Sequence, residues 1–191
     1  MPSHIFTRLG LWEDSIASNL AARRAAQEEG DVGEALHAMD YLTYAYLQLG
    51  RFAEAEAIVP EAARTTSLPA ADFKFGYAVN AMPVRLAMER ADWSATAALQ
   101  PRAGSTPQVA AIVHWARSVG YAREGNPKKA AYDLAQLAQC RDTLQATNEY
   151  WATQTSILEQ QARAWVAFAE GRREQAIALM RAAADTEDAV E

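Results

Sequence analysis

At 191 residues, half of them hydrophobic and 22% charged, the chain has ordinary globular composition and enough length for a substantial apolar core. Its formal net charge of −6 speaks against nucleic acid as a partner, because phosphate binding draws on clustered Lys and Arg. No apolar run reaches the length of a membrane span, the lone Cys140 leaves no internal disulfide, and no Pro-rich, Gly-rich or like-charged tract marks a linker or tail.

Every segment between turns carries helical periodicity and none alternates as a half-buried strand, so the sequence predicts ten helices paired as hairpins. The first pair runs from Ser3 to Leu9 and from Trp12 to Glu28, about the turn residue Gly10. Its opening helix has room for only about two turns and carries His4 and Arg8. That shortness points to a fragment of a longer array, and the apolar end at Ile5, Phe6 and Leu9 allows a homodimer.

The second pair spans Glu34 to Leu49 and Phe52 to Thr65, about Gly50. Steps of three and four put His37, Asp40, Tyr41, Tyr44 and Gln48 on one stripe of its first helix. The third runs from Ala70 to Arg90 and from Trp93 to Leu99, with Arg85 and Glu89 at equivalent places and Ala91 where the other turns have glycine. Pro60 and Pro83 fall inside these helices, and each predicts a kink or a short break.

The fourth pair, Pro107 to Glu124 and Pro127 to Gln139, carries Trp115 and Arg123. Thr106 and Asn126 each precede a proline and read as capping side chains. His114, on an apolar helix, reads as a hydrogen-bonded core histidine. The fifth pair, Thr147 to Glu170 and Arg172 to Asp185, carries Gln161 and Trp165. Small residues recur at fixed offsets past the turns, among them Ala55, Ala62, Ala130 and Ala176, while Tyr46 and Tyr121 precede them. All six side chains are expected between closely packed helices.

The stretch from Tyr41 to Ala55, Tyr-Leu-Thr-Tyr-Ala-Tyr-Leu-Gln-Leu-Gly-Arg-Phe-Ala-Glu-Ala, resembles a tetratricopeptide repeat in its aromatic, turn glycine, following aromatic and alanine. Gly125 to Ala130 and Gly171 to Ala176 match less fully, since Pro127 and Arg173 replace the bulky residue after the turn. The Ala91 unit departs most, and only the interval from Ala91 to Gly125 has the regular period of about 34 residues. Met1 to Trp12 also looks like a segment found inside longer bacterial proteins of this repeat class.

The resemblance implies an all-α fold, a right-handed α-α superhelix forming a single repeat domain over residues 1–191, irregular in repeat length. It implies a scaffold that holds a peptide or protein in the groove of the first helices. On that basis the groove comprises His37, Asp40, Tyr41, Tyr44, Gln48, Arg85, Trp115, Arg123 and Trp165. Family members that clamp a terminal carboxylate use Lys and Asn where this chain has Asp40, Tyr44 and Gln48, so that ligand is not implied.

No H-E-x-x-H, paired-Cys, Gly-rich phosphate loop or nucleophile-elbow motif is present. The expectation is therefore a non-enzymatic protein- or peptide-binding module without a cofactor, cytoplasmic if the chain is full length. The alternative is a small-molecule-sensing or metal-dependent domain using His4, His37, Asp40 and Tyr44.

Overall fold

A computed structural model gives the structure of the protein for residues 2–65 and 67–190. Among the described residues there are ten α-helices and no strand: α1 Ser3–Arg8, α2 Trp12–Glu29, α3 Val32–Gln48, α4 Phe52–Ala63, α5 Phe73–Glu89, α6 Trp93–Ala98, α7 Pro107–Arg123, α8 Pro127–Gln145, α9 Glu149–Ala169 and α10 Arg173–Asp188. They group into two compact units. The first holds the chain up to Arg90 together with Arg102–Thr106, and the second holds Ala91–Pro101 together with the chain from Pro107 onward. The predicted third pair is thereby divided, with α5 in the first unit and α6 in the second.

In the first unit α1 packs on α2, α2 on α3, and α3 on both α4 and α5. The seam is filled by Leu36, Met39, Leu42, Phe75 and Met82, all buried. Ala55 and Ala62 are buried on the inner face of α4, where a bare methyl lets the helices close together. Tyr46 is buried as expected, with the Arg51 guanidinium over its ring at 4.8 Å. On α1, Ile5 and Leu9 stand 62% and 67% exposed.

In the second unit α6 packs on α7, α7 on α8 and α9, and α10 on α9. Ala130 and Ala176 are buried, whereas Tyr121 is half-buried, with Arg117 and Lys129 both over its ring. Gly120 marks the closest approach. A Cβ there would meet the Ala97 backbone nitrogen at 2.8 Å and the Trp93 carbonyl oxygen at 3.0 Å, so α6 lies on α7 backbone to backbone.

Helix starts are fixed by side-chain caps: Asp31, Asp72, Asp92, Asn126 and Asn148 each accept a first-turn amide. Thr106 does not cap α7; its hydroxyl is buried and makes no hydrogen bond. Of the kink or short break expected at Pro60 and Pro83, no break is present, since α4 and α5 run through them. Each proline removes one backbone hydrogen bond, and the buried neighbours Ile58 and Ala62, or Met82 and Val84, keep the helix docked across the gap. Helix α8 continues past Gln139 to Gln145, because Leu144 is buried and extends its packed face by a further turn.

Candidate functional site

In the first unit, side chains of α3 meet side chains of α1, and α3 itself packs on α5. Helical spacing aligns His37, Tyr41 and Tyr44 along α3, and all three are half-buried. Across from them, His4 on α1 lies flat on Tyr41, with ring centroids 4.6 Å apart and planes 6° from parallel. Its Nε2 is 3.2 Å from the Nε2 of His37, and the His37 ring meets Tyr41 edge-on at 5.1 Å. Burial, and then the neighbouring His37, push the His4 imidazole below its ordinary pKa.

Asp40 is taken up by a different partner. It is 5% exposed and forms an ion pair with Arg85 of α5. Burial raises its carboxyl above the ordinary range, and Arg85 only partly opposes that. The Arg85 guanidinium also lies 5.6 Å from the centre of the Tyr44 ring and 5.8 Å from that of Tyr77. Trp12, at the start of α2, meets Tyr44 edge-on at 5.6 Å. Farther along α3, Gln48 donates to Glu89 at 3.5 Å, both exposed. Tyr41 is likewise shifted upward by burial first and by the Asp40 charge second, so it stays a neutral phenol.

The second unit carries its own aromatic and arginine group. Arg123, exposed at the end of α7, is held between two indoles, 4.7 Å from the centre of Trp93 and 5.1 Å from Trp165. Trp165 meets Phe168 edge-on at 5.8 Å. Trp115, by contrast, packs against the core residues Ala111, Leu137 and Ala162, and its indole N–H is buried without an acceptor. His114 is tied as expected into a buried network: its Nδ1 lies 2.9 Å from the fully buried carboxylate of Asp133, which also accepts from Arg117 Nε at 2.8 Å.

Of the residues singled out from the sequence, the structure brings together His4, His37 and Tyr41 as one ring cluster, and Asp40, Arg85 and Tyr44 as another. Asp40 is drawn to Arg85 and does not join the histidines. Among the described residues no group of three or more His, Cys, Asp or Glu side chains is placed to hold a metal ion. Tyr77, Trp12 and Trp93 complete the clusters without having been singled out. Tyr77 stands two turns before Arg85 on α5, a spacing that could have linked them.

No helix of the described chain is long and apolar enough to cross a membrane. No family model, curated protein or solved structure matches the sequence.

Proposed function

We propose that the protein is a non-enzymatic scaffold that binds a peptide or a protein segment on the first helices of tetratricopeptide-like hairpins. The observation that carries this reading is the row His37, Tyr41 and Tyr44 on α3. These rings are half-buried and fixed by neighbours on either side, with Arg85 set against Tyr44. Aromatic and arginine side chains concentrate binding energy because they offer large area or several donors for little lost freedom. Rings already immobilised by packing lose still less on binding. The exposed Arg123 between Trp93 and Trp165 offers the same residue types in the second unit.

The test is selection of peptides from a random displayed library against the intact chain, followed by affinity measurement on Tyr44→Ala. Loss of more than about 1 kcal/mol of affinity, with the helical circular dichroism unchanged, is expected. Selected peptides that bind Tyr44→Ala and wild type equally would place their site elsewhere. The exposure of Ile5 and Leu9 favours a second reading, self-association through the first hairpin. Sedimentation of wild type against Ile5→Ser/Leu9→Ser tests it, and a monomer in both cases would end it.

A further inference from the structure

We propose that His4 and His37 form a two-imidazole site for a borderline transition-metal ion of the Zn²⁺ or Ni²⁺ class. Their Nε2 atoms are 3.2 Å apart. Two imidazole nitrogens, each about 2.0–2.1 Å from one tetrahedral zinc ion, lie roughly 3.3 Å from each other, so the pair is already at bite distance.

The ligands are held, not loose. His37 sits in the second turn of α3, and His4 is oriented by its flat stack on Tyr41, itself half-buried on α3. Fixing ring orientation in advance is what supporting groups do at metal sites.

Without metal, one Nε2–H donates to the other Nε2. With metal, both Nε2 lone pairs must face the ion, so the donating ring moves its proton to Nδ1. Coordination by the two nitrogens thus replaces the hydrogen bond between the rings. Glu34, one turn before His37, is engaged by Lys74, and Asp40 by Arg85, so neither carboxylate completes the set. The remaining positions are left to water or to a donor from a bound molecule, which makes this an open site.

The experiment uses the tag-free chain and zinc chloride alone. Titration calorimetry should show one ion per chain. Long-range ¹H–¹⁵N spectra should show the ring nitrogens of His4 and His37 converging on the Nδ1–H tautomer while those of His114, locked to Asp133, stay in place. His4→Gln and His37→Gln, each verified as folded by circular dichroism, should weaken binding by about tenfold or more. Absence of ring shifts at millimolar zinc, equal shifts at His114, or undiminished binding by both variants would each overturn the proposal. Because the probe is the metal alone, its outcome is independent of peptide binding.

Discussion

The guanidinium of Arg85 on α5 pairs with the carboxylate of Asp40 on α3, joining these two packed helices through a carboxylate that is almost wholly out of water. Removing only the cation leaves the carboxylate buried and alone. Arg85→Met should therefore destabilise the chain by about 2–3 kcal/mol, less than a fully enclosed pair because the Arg85 side chain keeps 28% exposure. The sign with pH is defined. Asp40 already titrates above its ordinary 3.8 through burial, and losing Arg85 raises it further. A raised folded pKa contributes stability that is present below 3.8 and lost as pH climbs through the folded value. Denaturant midpoints of Arg85→Met should fall between pH 4 and pH 7 more steeply than those of wild type; parallel curves would show that Asp40 is solvated.

Acid should loosen α1. His4 titrates below 6.5, chiefly from burial and secondly from His37, with Arg8 acting in the same direction and Glu34 against it. Tyr41 beneath it is neutral. A lowered folded pKa gives stability that is present above 6.5 and lost as pH falls through the folded value. Hydrogen exchange in α1, corrected for its intrinsic pH dependence, should accelerate from pH 7 to pH 5 while α3 stays protected. His4→Phe, which retains a ring for the stack, should abolish that acceleration.

Gly120→Ala should cost about 1–3 kcal/mol or more, because the added methyl meets backbone atoms of α6 that cannot rotate away. The thermal midpoint measures it. The Trp93 emission should shift as α6 lifts and the contact with Arg123 loosens. A neutral result would mean that α6 and α7 are not in backbone contact.

Trp115→Phe should be close to neutral, or stabilising by up to about 1 kcal/mol, since it keeps most of the packed ring and removes an N–H that has no acceptor. Trp115→Ala should instead cost about 3–5 kcal/mol. Chemical denaturation of both variants separates a core role from a ligand contact, for which the two would differ little in stability.

Helix number and most boundaries were legible because local rules set them. Small residues past each turn, such as Ala55 and Ala130, are buried, and the turn glycines Gly10, Gly50, Gly125 and Gly171 all hold positive φ. The division between α5 and α6 was not legible, because it depends on Gly120 admitting α6 against α7, a contact between distant positions. The same limit hid Asp133: its burial is intelligible only once α8 is known to face His114 and Arg117. At the site, spacing alone aligned His37, Tyr41 and Tyr44. That Asp40 pairs with Arg85 follows from the packing of α5, which periodicity within α3 does not reveal.

Ala91 alone among the described non-glycine residues holds a left-handed backbone, with φ of 51°. At Gly10, Gly50, Gly125 and Gly171 an added Cβ would meet nothing within 4 Å, so changing them to alanine carries only the intrinsic left-handed penalty of roughly 1–2 kcal/mol. Ala91 already bears that penalty. The turns therefore act as a one-way valve for mutation: drift at the glycine turns erodes stability, while replacing Ala91 with glycine restores it, leaving this position a ready-made reserve against damage elsewhere in the chain.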